Sequence, residues 1–584
     1  MAFQLSPGVN VSEVDLTTVV PSVATSVGAF AGIFAWGPVN EVVTISDEVQ
    51  LVDTFGKPDD NNYEHWFSAA NFLAYSNNLR VIRAANSATT NTATSASSGL
   101  LIENEDDYLD NHSSGANTYG RFAAKYPGDL GNSIRVEVAD SNTYTGWTYA
   151  NSFTSTPATS TSVSNRGGAN DEMHIIVLDV NGKFTGTSNT VLEKFPFVSK
   201  ANDAKNFDGS SNYYKDVLNQ KSNYIWWMSH PDSTNWGTVN SSYTLLATRI
   251  TSTLANGANG AVTAGNIQTA FNKVANPDSE DVSLIITGPA TEPTIENAIS
   301  IAETRKDCVV FCSPEKADVV DNSGSEENDV TAFRDSVTSS SYAVMDSGWK
   351  YQYDKYNDVY RWVPLNGDIA GLCARTDLER DPWFSPGGLN RGIIKNVIKL
   401  AYNPTKAERD NLYVQGINPV VTFQGEGTIL FGDKTMLNRP SVFDRINVSF
   451  FSFHRTIKVA SSTLGVLVAF LAVGTVGMTY VVGHSGAESV WKDRYAFAKD
   501  QEGSNSRKIS LAEVRTHNSS TDCWTIVGDN VYDVTSFVSR HPAGSSAIKE
   551  MCGTNASEDY LGEHSGQQEP EMWLEKLKIG TLKP

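Results

Sequence analysis

SLIITGPATEPTIENAISIAETRKDCVVFCSP, residues 283–314, begins with SLIITG and ends with CVVFCSP. Each of these is a short, continuous apolar run bounded by turn residues. That is the pattern of a strand covered on both faces and paired in parallel. IENAISIAETRK between them reads as a helix, so from Asn266 onward the chain is α/β. Downstream, NRGIIKNVIKLAYNPTKAERDNLYVQG (390–416) places Ile393, Ile394, Val397, Ile398 and Ala401 at helical spacing and predicts a second helix. Upstream, Val23–Gly37 is small and apolar and suits a buried strand, Glu64–Tyr75 an amphipathic helix, and Leu79–Ala84 a short strand.

Between these halves the composition shifts. Asn86–Gly99 and Asp140–Asp171 are rich in Ser, Thr, Ala and Asn and read as surface connections. SIRVEVAD and MHIIVLDVNGKF read as strands, the second with a hairpin turn at Asn181-Gly182. A β-rich inserted domain over 86–245 follows. Residues 1–20, with Val9, Val11 and Val14 after Pro7-Gly8, read as an extended arm seeking a sheet edge.

At 584 residues the chain is too long for one core, and roughly three to five domains are expected. A net charge of −21 repels phosphate backbones and argues against direct nucleic-acid binding. Charged residues at 19% and aromatics at 10% are ordinary for globular domains. The N-terminus has neither a basic nor an apolar leader region, so no signal peptide is predicted. Five cysteines are too few and too scattered for a disulfide scaffold. Cys308 and Cys312 read as buried thiols, and whether Cys523 and Cys552 pair is left open, since pairing requires that this part of the chain sit in an oxidising compartment. No phosphate loop or H-E-x-x-H occurs, and His65, His112, His174 and His230 are scattered. The ladder Tyr351, Tyr353, Tyr356, Tyr360, Trp362 suits packing within or between subunits.

KYQYDKYNDVYRWVPLNGDIAGLCARTD (350–377), FSPGGLNRG (384–392), INPV (417–420) and GTILFGDKTMLNRPSVFDRINV (427–448), with LSPGVNVSE and VDTFGKP near the N-terminus, resemble the tail sheath proteins of contractile-tailed bacteriophages. The resemblance is strongest over 1–85 and 300–448. It implies a structural protein, not an enzyme. Its subunits surround a tail tube protein and join other sheath subunits through the N-terminal arm. They contract collectively to drive genome ejection, in a virion assembled in the host cytoplasm. After Val448 the family pattern stops, short of the inner core part and C-terminal arm. From that break the chain alone is expected to form no regular tubes.

A junction (449–458) leads to Val459–Gly483, a run without charge and long enough to cross a bilayer, flanked by Phe450, Phe451, Phe453 and Tyr480. Arg455 and Lys458 place its N-terminal side in the cytoplasm. After a linker (484–507), residues 508–582 resemble the cytochrome b5 haem-binding domain. Ser510-Leu-Ala-Glu513 is a capping box, CWTIV–GDN–VYDV a hairpin, and Thr535 starts a helix. The family's H-P-G-G appears as His541-Pro542-Ala543-Gly544, and its second histidine matches His564 in YLGEHSGQQ. The resemblance implies haem b with iron on His541 and His564, and a pocket formed by Phe537, Pro542, Gly544, Ile548 and Tyr560. Iron held by two imidazoles has no open position, so it passes electrons to an unidentified redox partner. Ala543 replaces a glycine, and a left-handed conformation there would cost about 1–2 kcal/mol.

The expected fold class is therefore multidomain. A discontinuous α/β sheath core (21–85 and 246–448) carries the β-rich insert, and is followed by one transmembrane helix and a small α+β cytochrome b5-like domain (508–584). Three functional readings are open. The chain is a sheath subunit with an incidental tail, a membrane-anchored haem electron carrier with a truncated sheath passenger, or a joining of two genes by recombination or sequence assembly.

Overall fold

The computed structural model describes residues 26–446 apart from 233–234, 239–240, 383 and 440, and residues 507–583 apart from 540, 542–544, 565–569, 571–573 and 575. The N-terminal arm, the span 459–483, Pro542 and Gly544 lie outside the described residues. No helix among the described residues is long and apolar enough to cross a membrane. The chain divides into two units, Met1–Ile457 and Lys458–Pro584.

The first unit is built on a seven-stranded sheet. Its order is Ile417–Asn418, Ala343–Asp346, Val309–Cys312, Leu284–Ile286, Gly28–Gly32, Leu79–Arg83, Val42–Ile45. All pairings are parallel except the last, so SLIITG and CVVFCSP are adjacent parallel strands as read. Period-two alternation sends Phe30, Leu284, Ile286 and Phe311 to one face, under the helices Tyr63–Leu73 and Asn366–Glu379. Ala29, Ala31, Ile285 and Val310 go to the other, under Ala264–Phe271 and Glu292–Arg305. The first two helices touch at Gly367, where a Cβ would lie 2.3 Å from the Ser68 carbonyl oxygen, so only glycine permits this approach.

The helix expected over 390–416 is confined to Lys406–Val414, started by Thr405 and Glu408 as a capping box. Upstream the backbone bonds to strands instead. Ile394 N–H donates to Thr428 O, Ile398 N–H to Tyr351 O and Ala401 N–H to Trp349 O, and Lys399–Leu400 is a short strand against Lys350 and Tyr351. Ile394 is buried while Ile393 and Ile398 are exposed, a division that helical spacing conceals. The aromatic ladder also divides. Tyr356 packs edge-on against the buried Trp66, whereas Tyr353 and Tyr360 are about half exposed at 47% and 52%.

The insert holds an antiparallel sheet ordered Thr190–Ser199, Glu172–Asp179, Ile134–Asp140, Ile250–Thr253. The last strand lies beyond residue 245. The hairpin at Asn181-Gly182 is present but its connection is longer than two residues. It is organised by Asp179, whose carboxylate accepts from the N–H groups of Lys183, Phe184 and Thr185.

At the carboxyl ends of the parallel strands, where α/β folds commonly hold ligands, this chain places its own polar groups. Asp346 is fully buried and accepts from Ser313 Oγ (2.7 Å) and Gly348 N (2.9 Å). Asn366 Nδ2 bonds Ser313 Oγ and Gly288 O. Burial pushes the Asp346 carboxyl from 3.8 up to about 8. The folded chain thus keeps a proton that the unfolded chain releases. This contribution to stability is complete below about pH 4 and lost as pH rises through about 8. Asp346→Asn is expected to flatten that part of the stability–pH curve, measured by urea unfolding at several pH values; an unchanged slope refutes it.

The second unit is a five-stranded sheet ordered Lys508–Ile509, Lys578–Leu582, Asn530–Asp533, Asp522–Val527, Asn518–Ser519. The expected hairpin is formed by Asp522–Val527 and Asn530–Asp533. Ser510 caps the single turn Leu511–Val514 through Glu513 N, but the Glu513 carboxylate pairs with Arg507 rather than closing the box. The helix expected at Thr535 is one 3-10 turn, Thr535–Phe537. The longer helical segments are Ser545–Lys549 and Ser557–His564.

Candidate functional site

In the second unit the two histidines singled out from sequence meet. His541 follows the 3-10 turn and His564 ends the helix Ser557–His564. Their ring centres lie 6.1 Å apart with the planes at 71°. Both side chains are half-buried, and each Nδ1 is buried with no hydrogen-bond partner among the described residues. Two neighbouring imidazoles, each with a buried nitrogen that lacks a partner, need a reason, and a shared metal supplies one. An imidazole nitrogen binds a first-row metal at about 2 Å, so one ion between two opposed rings sets their centres about 6 Å apart. The observed spacing fits.

The surroundings are apolar. Phe537 lies edge-on 5.9 Å from the His541 ring, and Tyr560 lies 5.3 Å from His564. Ile548 is buried in a cluster with Val527, Tyr532, Val534 and Val538, against which Phe537 and Tyr560 pack. Of the pocket residues read from sequence, Phe537, Ile548 and Tyr560 are thus brought together. Sequence reasoning missed Val534 and Val538, whose i, i+4 spacing was the available signal. It left the cysteines open. Here Cys523 and Cys552 form a disulfide with Cα atoms 4.8 Å apart, inside the same cluster.

His517 is a third histidine of this unit but stands elsewhere. It pairs with Asp522 at 2.7 Å and stacks on Trp524. In the first unit, His65 is buried against Phe30 and its pKa is pushed down to about 4 by burial, so it is neutral at physiological pH. Among the described residues no cluster of three or more His, Cys, Asp or Glu has metal-binding geometry.

An α/β unit built on a parallel sheet and a small domain with a paired-histidine site are the two classes these features define, and comparison with known proteins gives each a family. Residues 25–84 match the tail sheath protein Gp18 domain III N-terminal region, and 260–436 the phage tail sheath protein central domain. Residues 510–583 match the cytochrome b5-like heme/steroid binding domain. The tail sheath protein of Enterobacteria phage T4 is 31% identical, over 76% of this chain and 84% of that one. The tail sheath protein of Vibrio phage KVP40 is 28% identical over the same shares. Cytochrome b5 of Drosophila melanogaster is 34% identical over 13% of this chain and 56% of its own length. The chain belongs to the tail sheath protein family. Its C-terminal domain is cytochrome b5-like, and the cofactor of that domain is haem.

Proposed function

We propose that residues 1–448 act as a subunit of a contractile sheath around a phage tail tube, and that residues 508–584 hold haem b between His541 and His564 as a one-electron carrier. The sheath reading is carried by the two-faced parallel sheet lying within the segments that match the sheath family. In it, the subunit joins other sheath subunits through its N-terminal arm and contributes to genome ejection from the virion tail. Haem bound here supplies a reversible one-electron couple. His541 and His564 hold it, while Phe537, Ile548 and Tyr560, with Pro542 and Gly544, wall it off from water and so govern the couple. A non-catalytic role follows from two protein ligands leaving no position for substrate. The uncharged run Val459–Gly483 supports a membrane anchor between the two parts, with the sheath part on the cytoplasmic side.

The sheath reading is tested by electron microscopy. The purified full chain is expected to form no regular cylinders, because the family pattern stops at Val448. Replacing everything after Val448 with the corresponding C-terminal stretch of the phage T4 relative is expected to produce them. A folded chimaera that stays unassembled overturns the sheath reading, and cylinders from the unaltered chain overturn the significance given to the break.

A further inference from the structure

We propose that the Cys523–Cys552 disulfide is a redox-operated clasp that positions the His541 half of the haem site, so that haem is retained tightly with the bond closed and loosely with it open. The inference rests on the haem reading above.

The bond spans a sequence separation of 29 and encloses Phe537, His541 and Ile548, while His564 lies outside the loop. The two ends of the enclosed segment converge on one residue. At its start Val534 N–H donates to Cys523 O, and Cys523 N–H donates to Thr535 Oγ1 (2.8 Å). At its end Cys552 is bonded to the Cys523 sulfur. The half that carries His564 is fastened differently. Residues 553–556 run along the strand Asp522–Val527 with three backbone bonds, Gly553 N to Trp524 O (2.7 Å), Ile526 N to Thr554 O (3.1 Å) and Ala556 N to Ile526 O (2.9 Å). Opening the disulfide therefore leaves the His564 helix anchored and removes the covalent hold on the segment that carries His541, whose end is then tied, among the described residues, only through the neighbouring Gly553–Trp524 backbone bond and its own packing. Both sulfurs belong to residues buried in the cluster that contains Ile548, so loosening there reaches the pocket wall directly.

The chemistry is a two-electron, two-proton exchange. A dithiol opens the bond, forming its own disulfide and leaving two protein thiols. Oxidised glutathione closes it, releasing two molecules of reduced glutathione. A reducing cytoplasm keeps such a pair open and an oxidising medium closes it. The remaining cysteines do not interfere: Cys308, Cys312 and Cys373 are buried, and burial pushes the Cys308 thiol up to about 12, which leaves it unreactive.

The test uses the full chain loaded with haem, prepared in disulfide form and, after dithiothreitol and its removal, in dithiol form, with thiols counted by alkylation and mass measurement. Haem transfer to excess apomyoglobin is expected to be about tenfold faster or more from the dithiol form. The low-spin ferric spectrum is expected to give way partly to a high-spin one as His541 lets go. Cys552→Ala should behave as the dithiol form and ignore dithiothreitol, and reoxidation with glutathione disulfide should restore slow release only in the unmutated chain. Equal release rates and spectra in both forms overturn the clasp while leaving the haem reading intact. A chain that takes up no haem in either form overturns both.

Discussion

His564→Ala in the haem-loaded full chain is expected to abolish the low-spin bis-imidazole spectrum. It should weaken haem retention by more than the roughly 10–100-fold that loss of an outer-shell partner costs. The expectation follows from the 6.1 Å spacing of the two rings, which leaves room for one ion and makes each ring half of a single grip. With His564 gone the iron has one protein ligand and an open side, and the spectrum should turn high-spin. His541→Ala should do the same. His517→Ala supplies the control, because that ring is engaged with Asp522 and Trp524 and stands outside the grip. Its spectrum should match that of the unmutated chain. A low-spin spectrum that survives His564→Ala refutes the assignment of both ligands.

The second large effect lies in the sheath core. Lys350 Nζ sits 2.9 Å from the Asp368 carboxylate, and both side chains are at most 1% exposed. Lys350 also donates to Lys395 O, and Tyr75 OH donates to Asp368. Burial pushes the Lys350 ammonium down and the Asp368 carboxyl up, and the charge of each partner opposes that shift in the other. Asp368→Ala leaves an unpaired ammonium in the core and should cost about 3–5 kcal/mol. That is a large fraction of the stability of a typical domain, about 5–15 kcal/mol, so much of the variant should be recovered insoluble. Replacing both partners, Lys350→Met with Asp368→Leu, should recover most of the loss, since two apolar side chains leave no charge stranded. Urea unfolding followed by tryptophan fluorescence reads both. A double variant as unstable as the single one refutes the argument that an orphaned charge causes the loss.

How far the sequence reveals this molecule depends on what each segment needed from its neighbours. SLIITG and CVVFCSP are legible because a strand covered on both faces must be apolar throughout, whatever covers it. Residues 390–401 mislead because Ile393, Ile394, Val397 and Ile398 have helical spacing, yet their backbone groups find partners on Trp349, Tyr351 and Thr428, distant in sequence. Lys350 and Asp368 look like surface charges until the fold buries them together. The histidine pair is legible because its neighbours in sequence carry a family pattern. The Cys523–Cys552 bond is not, because pairing depends on where the chain brings residue 552 after a loop whose path no local rule fixes.

The order of strands in the first unit also sets a timetable. Gly28–Gly32 lies between Leu79–Arg83 and Leu284–Ile286, so one of its two neighbours leaves the ribosome roughly 250 residues after it. At about 5–20 residues per second that wait is roughly 10–50 s. During it GAFAG has one open edge, and the whole inserted sheet emerges and has time to fold before the core can close around that strand. That strand is thus the first of the sheet to be made, yet it waits for its second neighbour until the insert has emerged, and the interval in which a newborn chain most needs protection from its neighbours is written into the strand order.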